Sequence, residues 1–197
     1  MPIPIRCTCG AVRGTVELEH AYTRGVCYCN DCQAYQRFLG RADVPDACGG
    51  TDIVPMSPAG VRMTQGLDRV ACVALSPNGI RRWYADCCKT PLGNTRRDPN
   101  IAYVGMVTAC FDAAPATIDA AVGPRGRIVL NAASATGKVS ATPLAFFLGG
   151  VSIVRHILAA KLGERPPSPF FDAAGTPLRA PRVLDADERA ALGANPV

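Results

Sequence analysis

Cys27-Tyr28-Cys29-Asn30-Asp31-Cys32 places three thiols within six residues, at the spacing C-x-C-x-x-C. A thiolate is a soft ligand suited to zinc, and zinc–sulfur bonds of about 2.3 Å gather close-spaced cysteines round one ion. Three neighbouring ligands leave a tetrahedral ion one position short. A distant residue closes that position in a structural site; water or substrate takes it in a catalytic one. The two histidines, His20 and His156, lie outside the cysteine motifs in sequence, and either could serve. A lone histidine far from a cysteine knuckle is more often an ordinary surface or core residue.

Two further clusters flank the triplet. Arg6-Cys7-Thr8-Cys9-Gly10 is a second C-x-C, with a glycine able to turn tightly after the thiols. Asp86-Cys87-Cys88-Lys89-Thr90-Pro91-Leu92 carries two adjacent thiols. The pair Cys7 and Cys9 cannot complete a tetrahedron alone, and Cys87 and Cys88 can supply the missing ligands across a sheet. The expectation is two zinc ions per chain. Cys7, Cys9, Cys87 and Cys88 hold a structural ion; Cys27, Cys29 and Cys32 hold a second. Cys72 and Cys110, in apolar strands, and Cys48, in a loop, read as small buried hydrophobes.

Ten cysteines in 197 residues would suggest disulfides in a secreted chain. The start, Met1-Pro2-Ile3-Pro4-Ile5-Arg6, has no basic segment followed by an apolar one, so it does not read as a signal peptide. Near neighbours on a strand are also awkward to bridge to each other. The expectation is a cytoplasmic protein with mostly reduced, partly metal-bound thiols. Nearly half the residues are hydrophobic and 19% are charged, as in a folded domain with its own core. Nineteen glycines and 17 prolines favour turns and short strands. The net charge of +5 is a weak pointer to anionic partners, and no basic cluster interleaved with aromatics favours nucleic acid. Phosphate-binding glycine loops and a G-x-S-x-G elbow are absent from the sequence.

Along the chain, Val12, Gly14, Val16 and Leu18 alternate with polar residues, the pattern of a half-buried strand. Asp43 to Gly60, rich in Pro, Gly and Asp, reads as loop. Val70–Leu75 and Ile80–Tyr84 read as two strands joined by the turn Ser76-Pro77-Asn78-Gly79. Ile101–Val107 is a further strand; Ile118-Asp119 and Arg127–Leu130 read as short strands around Gly123-Pro124-Arg125-Gly126. Pro143 to Leu162 reads as a helix that is apolar on nearly all sides. It is shorter than a good membrane span and interrupted by Ser152, Arg155 and His156, so the expectation is burial or a homodimer contact through 143–162. Pro166-Pro167-Ser168-Pro169 is a stiff linker, and Asp185 with Glu188 forms a capping box opening the last helix. Residues 1–135 are expected to form the zinc-binding domain, and 136–197 a helical extension packed on it.

Taken together, Cys7-Thr8-Cys9-Gly10-Ala11-Val12-Arg13, Cys27-Tyr28-Cys29-Asn30-Asp31-Cys32-Gln33 and Arg82-Trp83-Tyr84-Ala85-Asp86-Cys87-Cys88-Lys89-Thr90-Pro91-Leu92 resemble the three motifs of the glutathione-dependent formaldehyde-activating enzyme family, which also includes centromere protein V. The resemblance covers roughly residues 5 to 110. It implies a mainly β architecture, a β-tent of antiparallel sheets with two zinc ions. It implies a structural zinc on the first and third motifs and a second zinc near the substrate thiol on the middle one. The implied activity is that of a carbon–sulfur lyase interconverting formaldehyde plus glutathione with S-hydroxymethylglutathione. The third motif departs from the family's C-x-x-C-G-T-P-L: the first cysteine position falls on Ala85 and the glycine is Lys89, leaving Cys87 as substitute ligand.

The functional expectation is zinc-dependent carbon–sulfur chemistry on a thiol adduct of a small aldehyde. Cys27, Cys29 and Cys32 would act as ligands and not as nucleophiles. Arg6, Arg13, Arg37, Arg41, Arg81 and Arg82 lie near the motifs and could pair with substrate carboxylates, but singly each reads as a solvated charge, and none is assigned to the site. The competing readings are a non-catalytic zinc-binding interaction module and thiol redox work at Cys29 and Cys32.

Overall fold

The structure is a computed structural model describing residues 2–163 and 165–195. Two sheets carry the fold. The smaller has three antiparallel strands, β1 (Ile3–Arg6), β2 (Arg13–Val16) and β5 (Val61–Gln65), in the order β1-β2-β5. The larger has eight. Its antiparallel body comprises β3 (Gly25–Cys27), β4 (Thr51–Met56), β9 (Val104–Val107), β8 (Thr90–Thr95), β7 (Arg81–Ala85) and β6 (Val70–Ala74), in that spatial order. Two-residue strands close its edges, β10 (Val129–Leu130) on β3 and β11 (Arg182–Val183) on β6.

Both edge pairs are parallel, unlike the all-antiparallel expectation. Hairpins cannot make parallel neighbours, and the long connections into these late segments can. The helices are α1 (Asn30–Leu39), α2 (Pro115–Val122), α3 (Pro143–Ala160) and α4 (Ala186–Ala191).

Strand periodicity sends alternate residues to opposite sides of the large sheet. Val54 and Met56, Val104 and Met106, and Trp83 face the small sheet, where they meet Ile3, Ile5, Val12 and Val16 in the main core. Phe170, fully buried, stacks on Trp83 with ring centroids 5.0 Å apart, so the C-terminal segment contributes to this core. The other side carries α1: Ala34, Tyr35 and Leu39 pack on Val73, Leu75 and Tyr84. Ile53 and Val107 lie on this side too, against Cys27 and Cys32.

The hairpin of β6 and β7 and its Ser76–Gly79 turn match the sequence pattern, as does the capping box on Asp185 and Glu188. Two readings of secondary structure fail. The stretch read as loop contains β4, which is buried throughout. Its Pro55 lacks a ladder donor and hides the strand, yet the Pro55 carbonyl accepts from Tyr22 N at 2.7 Å. Ile118-Asp119 lies in α2, where Pro115 opens the helix at a position that needs no N–H donor. Of the two roles expected for the apolar helix α3, burial or a homodimer contact, burial does not hold: Gly149 is its one buried residue, and Leu144 is 71% and Phe147 65% exposed. By length and composition α3 is also apolar enough to cross a membrane, despite its interruptions.

Candidate metal centres

The first site forms where two hairpin tips meet. The turn after β1 carries Cys7 and Cys9, and the turn between β7 and β8 carries Cys87 and Cys88. Gly10 takes φ +76° behind the first pair, as the tight turn requires. Thr8 N donates to Thr90 Oγ1 at 2.9 Å and fastens one tip to the other. Cys7 Sγ lies 3.5 Å from Cys9 Sγ and 3.9 Å from Cys87 Sγ; Cys9 and Cys87 are 3.3 Å apart, Cys87 and Cys88 3.9 Å. Tetrahedral zinc–thiolate bonds of about 2.3 Å place their sulfurs about 3.8 Å apart, so these distances suit one ion.

The adjacent thiols of Cys87 and Cys88 thus join Cys7 and Cys9 in one cluster that could hold a metal ion, while Ala85 is a fully buried core residue of β7. Lys89, at the resembled family's glycine position, adopts φ +56° in the left-handed region. Its ammonium pairs with Asp86 at 2.5 Å. Burial pushes the Cys88 thiol up, but hydrogen bonds from the Thr90 hydroxyl and the Cys9 and Thr90 backbone outweigh it, leaving it at about 6. Arg41 Nη1 reaches Thr8 Oγ1 and Thr90 Oγ1, both at 3.0 Å, and the Cys88 carbonyl at 3.4 Å.

The second site sits between a strand end and a helix start. Cys27 ends β3, Cys29 is the N-cap of α1, and Cys32 lies in its first turn. The three sulfurs lie within 4.8 Å of one another. Each receives an N–H. Asn131 Nδ2 donates to Cys27 Sγ at 3.6 Å, Cys32 N to Cys29 Sγ at 3.4 Å, and Arg82 Nη1 to Cys32 Sγ at 3.8 Å. Such donors orient thiolates and moderate their charge.

Arg82 is 3% exposed and has no carboxylate partner among the described residues, and its guanidinium stands against the Cys32 sulfur. Hydrogen bonds from Cys27 and Cys29 hold the Cys32 thiol well below its ordinary value, helped by the Arg82 charge, while Cys27 is raised as their donor. Tyr103 is pushed up to about 12, by burial first and then by the Cys32 and Cys27 charges.

Neither histidine completes the triplet. His20 Nε2 lies 3.5 Å from Glu17 Oε2. His156 stacks on Tyr22 and bonds the Ser152 carbonyl at 2.7 Å. Among the described residues no fourth Cys, His, Asp or Glu joins the three thiols. Cys72 and Cys110 are buried alone as expected; Cys48 is half-buried.

Three arginines were not identified by sequence patterning. Arg82 and Arg41 were read as solvated charges, and Arg24 carried no motif. Arg24, 4% exposed, grips Asp52 bidentately at 3.1 and 2.7 Å and Asp119 at 2.6 Å, pinning β3 to β4 and α2. Position two before Tyr84 on an alternating strand was the available signal for Arg82.

A cavity of about 430 Å³ has no cysteine in its lining, and Arg24 and Arg41 share its wall with Asp43, Asp52 and Asp119. Val44 and Val107, which pack on the triplet, line one part; Arg24 and Arg41 line another. Beside the triplet, Arg82 Nε, Asn94 Oδ1 and the Gln36 amide are buried without protein partners; Asn94 stands opposite Arg82 in the β7–β8 register.

No curated protein sequence matches this chain. Its fold is similar to the crystal structure of a Rhodobacter sphaeroides protein, with 19% identity and a TM-score of 0.44, covering 62% of this chain and 99% of that one. The description "Family of unknown function (DUF6151)" matches residues 1–179, and the chain belongs to that family.

Proposed function

We propose that the protein is a two-zinc, β-tent carbon–sulfur lyase related to the glutathione-dependent formaldehyde-activating enzymes, acting on a thiol adduct of a small aldehyde. The observation that carries this reading is the triplet itself: three thiols within 4.8 Å, with no fourth protein ligand among the described residues. The donor set fits zinc, which would supply a thiophilic position for the substrate sulfur. The chain's own residues do the rest. Asn131, the Cys32 amide and Arg82 hold the three sulfurs in place. Three thiolates and a divalent ion sum to −1, and the buried Arg82 cation brings the site to neutrality, which favours an incoming anionic sulfur.

In the overall reaction the C–S bond of R–S–CH₂–OH breaks, the hydroxyl loses its proton as the carbonyl forms, and the sulfur leaves as a thiol.

The test is zinc per chain by native mass spectrometry for the wild type and Cys29→Ser, followed by formaldehyde release from S-hydroxymethylglutathione. Two zincs falling to one, with activity lost in Cys29→Ser, supports the reading. One zinc that Cys29→Ser leaves in place, or a two-zinc protein inert toward such adducts, counts against it and favours a non-catalytic zinc-binding interaction module.

A further inference from the structure

Helix α3 is built inside out. Its small and polar stripe faces the domain. A Cβ on Gly149 would stand 2.6 Å from Ile128 Cδ1, Ser152 Oγ donates to the Tyr22 carbonyl at 2.9 Å, and His156 stacks on Tyr22 at 4.6 Å. These positions, i, i+3 and i+7, form one face. Most of the large side chains are exposed: Leu144, Phe146, Phe147, Leu148, Val151, Val154 and Leu158 are each about half exposed or more, while Ile153 and Ile157 are half-buried and Leu144, Phe146 and Leu148 also border clefts against the domain. A helix that docks through small and polar residues and exposes its large apolar ones reverses the usual arrangement at a protein surface.

The charge pattern identifies what covers that face. Ala120 to Gly163 contains Arg125, Arg127, Lys138, Arg155 and Lys161 and not one Asp or Glu. The rest of the chain carries sixteen basic and sixteen acidic residues, so the whole net charge of +5 sits in the segment bearing the apolar helix. Arg125 pairs with Asp46 at 3.3 Å. Arg127, Lys138, Arg155 and Lys161 are exposed and without a carboxylate partner among the described residues.

We propose that α3 lies in the plane of an anionic lipid bilayer surface, its apolar face at the acyl boundary, with Arg127, Lys138 and Lys161 among the headgroups and Arg155, which shares the face of Val151 and Leu158, extending its guanidinium up to them. Anionic headgroups complement the segment's charge, whereas a second copy of the helix would set its uncompensated cations against their own kind. The Gly149, Ser152 and His156 stripe holds α3 along the domain, which suits an in-plane helix and not a spanning one.

Co-sedimentation of the full chain with vesicles of phosphatidylcholine, alone or with about a third phosphatidylglycerol, tests this. The chain should bind the anionic vesicles, bind neutral ones weakly, and be released by salt. Each basic charge removed should weaken binding about fivefold, so Arg155→Glu with Lys161→Glu should lose at least about 25-fold at unchanged thermal stability. Phe147→Asp with Val154→Asp, both at exposed positions, should abolish binding and leave the circular dichroism spectrum intact. Equal binding to neutral vesicles, no binding to either, or resistance to carbonate extraction overturns the proposal. So does a stable dimer in light scattering that Phe147→Asp dissociates, because a second copy then covers the helix.

Discussion

The two cysteine sites use the same ligand to opposite ends. Cys7, Cys9, Cys87 and Cys88 join hairpin tips from different sheets, some eighty residues apart in sequence, and two of the four are exposed. Cys27, Cys29 and Cys32 span six residues, two are buried, and an arginine cation stands behind them. A site that ties distant segments removes conformational freedom from the unfolded chain, and a complete set of four ligands leaves nothing for a substrate. A local site contributes little chain constraint. Its three thiols sit on the end of β3 and the start of α1, and three ligands would leave a tetrahedral ion one position for chemistry. The difference is one of sequence separation and ligand count, and each can be perturbed separately.

Breaking the long-range site should have the largest effect. A structural zinc supplies on the order of 10 kcal/mol of folding free energy. Cys87→Ser should therefore lose one zinc and unfold or precipitate well below the wild-type melting temperature. Cys29→Ser should lose one zinc with a far smaller change in melting temperature. Metal content and thermal denaturation on the same samples separate the two; equal destabilisation would mean that both sites are structural.

Asp52→Ala tests the frame under the local site. It strips the buried Arg24 of its bidentate partner and leaves Asp119 as its carboxylate, so the cost should stay below the roughly 3 to 5 kcal/mol of a fully uncompensated buried charge. Urea denaturation should show that loss, with the zinc at Cys7, Cys9, Cys87 and Cys88 retained in the folded fraction.

Arg82→Met keeps the stem and removes the charge beside Cys32. Loss of such an outer partner typically weakens metal binding about 10- to 100-fold. Chelator competition should find this at the triplet alone, with Arg82→Lys restoring most of it. An identical loss in Arg82→Lys would assign Arg82 a packing role and not a charge role.

Lys89→Gly should act in the other direction. A side chain in the left-handed region costs roughly 1 to 2 kcal/mol, and the exposed Asp86 pair it would lose contributes under about 1 kcal/mol. The variant should be more stable by about 1 kcal/mol in urea, sharpening the first site without touching the second.

The parts that were legible in sequence share a short range. Adjacent thiols, the Ser76–Gly79 turn, the Asp185 capping box and the glycine after Cys9 are each fixed by a few neighbouring residues. Helix α1 also carries local marks. Cys29 before its first turn, Gly40 after its last and the buried Cys32, Tyr35 and Leu39 at helical spacing all mark it, but its polar composition gives it a weak apolar signal. Strand β4 was harder, because both its faces are buried and Pro55 reads as a breaker.

The sequence by itself determined that there are three cysteine clusters, that the middle one holds three thiols within six residues, and that a long apolar helix follows residue 142. Only the tertiary structure decided which clusters share a site, because the approach of Cys7 to Cys87 depends on two sheets meeting. It alone placed Arg82 behind Cys32 and Arg24 between Asp52 and Asp119, since a charge is buried or solvated according to what the rest of the fold lays over it. It alone turned the apolar face of α3 outward. Apolar residues on nearly every side of a helix leave its orientation open, and the contacts of Gly149, Ser152 and His156 with the domain fixed it.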